Sequence, residues 1–195
     1  MLDFTPVRRK EKTLQDLADN LTRGDLEALT NAMCDRQLEL IAAIEDEDTT
    51  FVPDDPDAFD KWAASPEDVN LSWTLGHVIV HTTASSEEEA AQALTLARGL
   101  QVKGRSRYEI PWRQARTAQY LRHRIEESRR MRLAMLAAWP DEPHLEVYYS
   151  SPEGFPPVNA LGKFISGLSH DDNHLGQIEK IVDQARRRRA PTRQR

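Results

Sequence analysis

Hydrophobic residues recur at intervals of three and four over four long stretches of the chain, which is the spacing of an α-helix. The first stretch begins near Thr13, and Gly24 is expected to divide it into a short lead-in and a long helix reaching about Ile44, with the junction near Thr22 or Arg23. The other three predicted helices cover roughly 70–99, 112–139 and 158–186. This pattern predicts an all-α protein, a four-helix bundle, preceded by a loose leader over residues 1–11.

The segments between these helices are long and contain the prolines and glycines that interrupt helices. They cover 45–71, 99–112 and 140–157. Connections of this length allow crossovers, so consecutive helices need not be neighbours. We interpret the acidic first segment as a solvated loop, because it lacks the ligand spacing of an EF-hand calcium site. Residues 144–149 resemble a strand, but without a partner they are expected to form an extended loop.

The composition of the chain indicates a globular protein with a strongly charged surface, since 39% of its 195 residues are hydrophobic and 30% are charged. We expect one domain over residues 1–195, with a core of about 14–185. No apolar run approaches the ~20 residues that a membrane span needs, and the first ten residues lack the apolar core of a signal peptide. The one cysteine, Cys34, excludes an internal disulfide and is interpreted as a small buried side chain rather than a reactive thiol. These features predict a cytoplasmic location.

Charge is distributed unevenly along the chain. The net charge is −6, yet the segment 186–195 contains six arginines and no acid, so the remainder of the chain is strongly acidic. An acidic body repels the nucleic-acid backbone, and we therefore expect neither nucleic acid nor membrane as a partner. The basic tail is interpreted as complementing the dipole of the last helix.

Four of the six histidines form two pairs with a spacing of four, His77 with His81 and His170 with His174. This spacing places two imidazoles on one helix face, with Cβ atoms about 5–6 Å apart, close enough to bind one metal ion. One such pair alone can equally be two hydrogen-bonded histidines. The upstream pair lies among apolar residues, and a buried imidazole needs a partner for each ring nitrogen, which a metal and an outer acceptor would supply. Candidate outer acceptors are Asp171, Asp172 and Asn173.

Two common metal patterns do not match the second histidine pair. A zincin has Glu directly after the first histidine, where this chain has Asp171. A di-iron bundle needs two Glu-x-x-His units, and this chain offers only Asp171-x-x-His174. A mononuclear site with three imidazoles and open positions fits better, and such sites hold zinc, nickel or iron.

The order of these residues resembles the DinB/YfiT-like superfamily over about residues 14–185. The resemblance is carried by Trp73, by His81 eight residues later, and by the run His170-x-x-x-His174-x-x-Gln177-Ile178. It implies a four-helix bundle with long crossover loops and one divalent metal ion. The ligands that it implies are His81, His170 and His174, while His77 matches no ligand position and is expected to act as an outer or packing residue.

The resemblance also implies a type of chemistry. Members of the superfamily include thiol-dependent S-transferases and a maleylpyruvate isomerase that use low-molecular-weight thiols. The implied mechanism is Lewis-acid catalysis, in which the metal deprotonates a cofactor thiol that attacks a small electrophilic substrate. The alternatives are a metal-dependent hydrolase and a stress-related metal-binding bundle without catalysis. The wide apolar faces of the bundle are compatible with a homodimer.

Overall fold

Seven α-helices and two 3-10 turns make up the helical structure of the described residues, which are 1–61, 63, 65–104, 111–152 and 154–189 of this computed structural model. The helices are α1 (Thr5–Arg8), α2 (Leu14–Ala18), α3 (Arg23–Leu40), α4 (Asp46–Thr49), α5 (Leu75–Ala97), α6 (Ala118–Ala137) and α7 (Ala160–Arg189). The 3-10 turns are Pro66–Asp68 and Trp112–Gln114. The predicted all-α class is confirmed, and none of the described helices is long and apolar enough to cross a membrane.

The four long helices pack as a bundle with crossover connections, as predicted. Helix α3 packs against α6 and α7, and α5 packs against the same two helices. Helices α3 and α5 therefore lie on one diagonal of the bundle, and α6 and α7 lie on the other. The chain crosses the bundle between α3 and α5 and again between α6 and α7.

Specific side chains satisfy the first free backbone N–H groups of the long helices and so decide where each helix begins. The hydroxyl of Thr22 accepts from the Asp25 N–H, so α3 begins at Arg23, at the predicted junction near Thr22 or Arg23, and Gly24 lies within the first turn of the helix. Helix α5 begins only after Thr74, whose hydroxyl accepts from the His77 N–H at 3.2 Å. The predicted start near residue 70 was therefore several residues too early.

The last two helices also begin later than predicted. Helix α6 starts after Thr117, whose hydroxyl accepts from the Tyr120 N–H, whereas Trp112 lies in a separate 3-10 turn. Helix α7 starts at Ala160, where the Asn159 side chain accepts from the N–H groups of Leu161 and Gly162. Helix periodicity marks the apolar face of a helix, but the capping side chain decides where the helix begins.

Two segments expected to be irregular contain ordered structure. The predicted loose leader over residues 1–11 includes α1, and Phe4 is only 1% exposed because it packs into the bundle core. Near the other connection, Tyr149 and Val158 form an isolated antiparallel bridge with N···O distances of 2.8 and 3.1 Å. The extended segment thus pairs with the residues that lead into α7.

The basic end of α7 is held by two acidic residues, Glu45 at the N-cap of α4 and Asp48 within it. Arg189 pairs with Glu45, and its other guanidinium nitrogen lies 3.0 Å from the buried carboxylate of Asp48. This contact joins the C-terminal end of α7 to the connection that follows α3. The remainder of the predicted basic tail, residues 190–195, lies outside the described residues.

The hydrophobic core consists of two apolar clusters. The first includes Phe4, Leu26, Leu96, Leu136 and Phe164. The second includes Ile41, Ile79, Leu121, Ile125 and Ile181. Helices α5, α6 and α7 also carry buried polar side chains. We call this set the buried polar layer: Ser86, Glu87, Arg124, Ser128, Arg132 and Asp171.

Helices α5 and α7 approach each other closely beside the buried polar layer. The Ser86 hydroxyl donates to the Gly167 carbonyl at 3.0 Å. A Cβ atom on Gly167 would lie 3.1 Å from the Cα of Ser86, a separation tighter than ordinary van der Waals contact. Glycine at this position allows the two helices to pack closely enough for side chains on their flanks to meet.

Candidate metal centre

Three histidines from two helices converge on one small space. His81 lies on α5, His170 and His174 lie on α7, and one ring nitrogen from each falls within 4.8 Å of the others. The Nε2 atoms of His81 and His170 are 3.1 Å apart. Each of the three side chains is partly exposed. Three imidazole nitrogens at this separation lie close enough together to bind one metal ion.

The local sequence explains the direction in which each histidine points. On α7 the spacing of four places His170 and His174 on one face, while Leu168 and Asp171 point into the core. On α5, His81 follows a run of fully buried residues and lies where the helix surface turns from the core toward α7. The close packing of α5 on α7 then brings the two faces together.

The electrostatics of the cluster favour neutral imidazoles. Burial, together with the neighbouring His174 and His81, lowers the pKa of His170 to about 3. Burial likewise lowers the pKa of His174, against the opposing effect of its hydrogen bond with Gln177. A neutral imidazole keeps a lone pair for a metal ion, so this set of donors fits a divalent cation of the zinc, nickel or iron type.

Gln177 orients one of the three rings. Its side-chain oxygen lies 2.8 Å from Nδ1 of His174, so Nδ1–H donates to it and Nε2 keeps its lone pair toward the cluster. Nδ1 of His170, in contrast, is buried and has no hydrogen-bond partner among the described residues. Gln177 was quoted in the sequence motif, but its role as the acceptor for a histidine was not predicted.

The predicted outer acceptors within the second motif do not contact the histidines, so that prediction was wrong. Asp171 is fully buried and pairs with Arg132 at 2.7 Å. Asp172 accepts from Arg8 at 2.6 Å, and the Asn173 side chain lies 3.4 Å from the same guanidinium. Successive helical residues are rotated by about 100°, so Asp171 and Asp172 point away from the His170 direction. Asn173 is a neighbour of His170 on the helix surface, but its amide contacts Arg8 instead.

His77 belongs to an aromatic stack and lies outside the three-histidine cluster. Its ring stacks on Trp73 with a centroid distance of 4.2 Å and on Trp112 at 4.5 Å. Trp73 in turn meets His81 edge-on at 4.7 Å and faces His174 at 5.9 Å. His77 therefore packs behind Trp73, which forms one wall of the cluster, in agreement with its expected packing role.

Comparison with known proteins identifies the family of the chain. The family model of the DinB superfamily matches residues 20–178. The chain belongs to the DinB superfamily. The match covers α3, α5, α6 and the part of α7 that carries both histidines. No curated protein and no solved structure matches the chain.

The DinB-superfamily chain has a cavity of about 230 Å³ beside His174. Its lining includes His174, Gln177 and Trp73, together with residues of the long connection between α3 and α5, namely Asp55, Asp57 and Phe59. That connection therefore lies against the histidine cluster. The volume falls below the range of about 300–1,000 Å³ that is usual for drug-sized ligands, so the cavity suits a small group.

The single cysteine of the chain lies in the core on α3, whereas the histidine cluster lies between α5 and α7. Cys34 is fully buried, and its sulfur lies 2.8 Å from a guanidinium nitrogen of Arg132. Burial raises the pKa of the Cys34 thiol, which keeps it protonated and unreactive. It is buried, as predicted, although it contacts a charged group as well as apolar neighbours.

Proposed function

We propose that this DinB-superfamily protein is a divalent-metal-dependent enzyme of the transferase type. In this proposal His81, His170 and His174 are the ligands of one zinc, nickel or iron ion. The observation that supports it best is the convergence of three imidazole nitrogens within 4.8 Å. The lowered pKa values of His170 and His174 keep these two rings neutral and able to bind a cation at neutral pH.

Each group around the cluster has a defined part in this proposal. Gln177 holds the proton on Nδ1 of His174 and so keeps Nε2 available as a ligand atom. The bound ion would supply Lewis-acid chemistry, lowering the pKa of a thiol and polarising an electrophile. Three protein ligands leave a further coordination position open. The cavity that His174 lines would provide space for a small substrate beside the proposed ligands.

We propose S-transfer or isomerisation with an external low-molecular-weight thiol as the reaction class. The chain has one cysteine, and that residue is fully buried beneath Arg132, so its own thiol cannot reach a substrate in the cavity. The nucleophilic sulfur must therefore come from a separate molecule. A small-molecule partner, a cytoplasmic location and a homodimer are further parts of this proposal.

Two alternatives use the same three histidines. The small volume of the cavity also suits a hydrolase, because a water molecule requires less space than a thiol cofactor. In a metal-binding bundle without catalysis, the cluster would bind its ion and turn over no substrate. Thiol-dependent conversion of an electrophile that is lost in His170→Ala would favour the transferase over both alternatives.

The first experiment is elemental analysis of the purified, tag-free protein. We expect about one zinc, nickel or iron ion per chain, and loss of that ion in each of His81→Ala, His170→Ala and His174→Ala. His123→Ala is the matched control, because that imidazole lies on α6 with 61% of its side chain exposed. Absence of metal from the unmodified protein, after incubation with each of the three ions, would contradict the proposed site.

A further inference from the structure

Helix α6 is linked to both ligand-bearing helices by buried ion pairs. Arg124 of α6 lies 2.6 Å from Glu87 of α5, and both side chains are at least 93% buried. Arg132 of α6 lies 2.7 Å from Asp171 of α7. One helix therefore holds an ion pair to the helix of His81 and another to the helix of His170 and His174.

The Arg132–Asp171 pair crosses the bundle. Helices α6 and α7 lie on a diagonal, so the Arg132 side chain extends through the core to reach its partner. Its other terminal nitrogen lies 2.8 Å from the sulfur of Cys34 on α3. The side chain of Arg132 thus links three helices, and separating a buried charge from its partner is strongly unfavourable. A rotation of α7 that removed Asp171 from Arg132 would be opposed by this cost.

Asp171 directly follows His170, so the direction of one side chain determines the direction of the other. Successive residues on a helix are rotated by about 100°, and Asp171 faces the core while His170 and His174 face α5. The same turn of α7 therefore carries the ion pair and one proposed ligand. Any rotation of α7 that broke the pair would also move both imidazoles relative to His81.

We propose that Arg132 and Asp171 are positioning residues of the metal centre. Their buried ion pair sets the rotation of α7 that presents His170 and His174 to His81. Neither residue touches the three imidazoles or the space between them, and the pair acts only through the backbone of α7. This inference rests on the proposed metal site.

The Arg124–Glu87 pair provides a matched control within the same molecule. It is also buried, and it also joins α6 to a ligand-bearing helix. However, Glu87 lies six residues beyond His81, and α5 packs directly against α6. Glu87 is thus more than one helical turn away from the proposed ligand of α5, whereas Asp171 directly follows His170 on α7. Removing this pair should reduce stability while moving His81 very little.

The test compares two double variants, Arg132→Met with Asp171→Asn, and Arg124→Met with Glu87→Gln. Zinc affinity is measured by competition with a chromophoric chelator, the ligand geometry by the visible absorption spectrum of the Co²⁺-loaded protein, and folding by circular dichroism. We expect both variants to melt at lower temperature. Only the first should lose zinc affinity, by about tenfold or more, and show altered cobalt bands. The second should stay within about threefold of the unmodified protein.

Equal zinc affinity in the two double variants, whether unchanged or equally reduced, would overturn the positioning role. If a double variant does not fold, the single variants Asp171→Asn and Glu87→Gln are compared in the same titration, with the same expected contrast. Failure of the unmodified protein to bind either Zn²⁺ or Co²⁺ is a different result. It would overturn the proposed metal site, and this inference with it.

Discussion

His170 and Asp171 are consecutive residues of α7 with opposite surroundings. His170 lies in a partly exposed cluster of imidazoles, and burial beside two other histidines lowers its pKa to about 3. Asp171 is fully buried, and its carboxylate pairs with the guanidinium of Arg132. His170 and His174 are neutral and can bind a cation, whereas the charge of Asp171 on the other side of the turn is already balanced by Arg132.

This contrast shows how the fold separates binding from stability. A neutral imidazole carries no charge that needs a partner, so the metal-free protein can keep the cluster without a large loss of stability. A buried carboxylate or guanidinium cannot, because an unpaired charge in the core costs several kcal/mol. The paired charges therefore contribute to the order of the bundle, and the imidazoles of the cluster carry its proposed chemistry.

The largest expected effect comes from removing one charge of the buried pair. Arg132→Ala leaves Asp171 uncompensated in the core, and we expect a loss of about 3–5 kcal/mol in the free energy of unfolding. Urea denaturation of the metal-free protein measures it. Arg130→Ala on the same helix is the control, because the Arg130 side chain is 62% exposed and should contribute within about 0.5 kcal/mol. Similar losses in the two variants would mean that the buried pair contributes no more to the free energy of unfolding than an exposed arginine does.

A smaller effect is expected where α5 and α7 approach each other. Gly167→Ala places a Cβ 3.1 Å from the Cα of Ser86, which must move apart, and we expect a loss of about 1–3 kcal/mol with weaker zinc binding. Gly176→Ala on the same helix meets no atom within 4 Å and should raise stability by up to about 1 kcal/mol. Thermal unfolding and zinc titration of both variants test the contrast. Stabilisation by both substitutions would show that the helices can separate freely.

The next effect concerns the orientation of one imidazole. Gln177→Ala removes the acceptor of His174 Nδ1, and we expect a loss of about tenfold in zinc affinity with little change in stability. Asn173→Ala is the control in the same turn, because its amide lies against Arg8 rather than against a histidine. Competition titration with a chelator distinguishes the two variants. A larger loss for Asn173→Ala would support the outer acceptors expected from the sequence instead.

The last prediction concerns the unmodified protein and the accessibility of the buried Cys34 thiol, which contacts Arg132. Because burial raises the pKa of the Cys34 thiol, less reactive thiolate forms at a given pH than in a free cysteine. We expect labelling by a thiol-specific disulfide reagent at about pH 8 to be at least ~100-fold slower in the folded protein than in urea. Fast labelling of the folded protein would show that the buried polar layer opens readily.

Much of the fold could be predicted from the sequence because helix formation depends on near neighbours. The apolar periodicity identified α3, α5, α6 and α7, and the spacing of four identified both histidine pairs. The prediction was wrong about the starts of α5, α6 and α7, since several polar residues near each start could have served as the cap. It was also wrong about the leader, because a single buried residue such as Phe4 leaves no periodic pattern.

The sequence by itself determined that α7 has one face with two histidines and an acidic residue on a different face, since helix geometry alone sets these directions. Only the tertiary structure decided that Asp171 meets Arg132 across the bundle and that Gln177, rather than the predicted acidic residues, holds His174. It also placed His77 between two tryptophans and brought His81 to the histidines of α7. The physical reason is that these contacts join residues far apart in the chain. They depend on which helices become neighbours and how closely they approach, and the local pattern of residues does not encode either property.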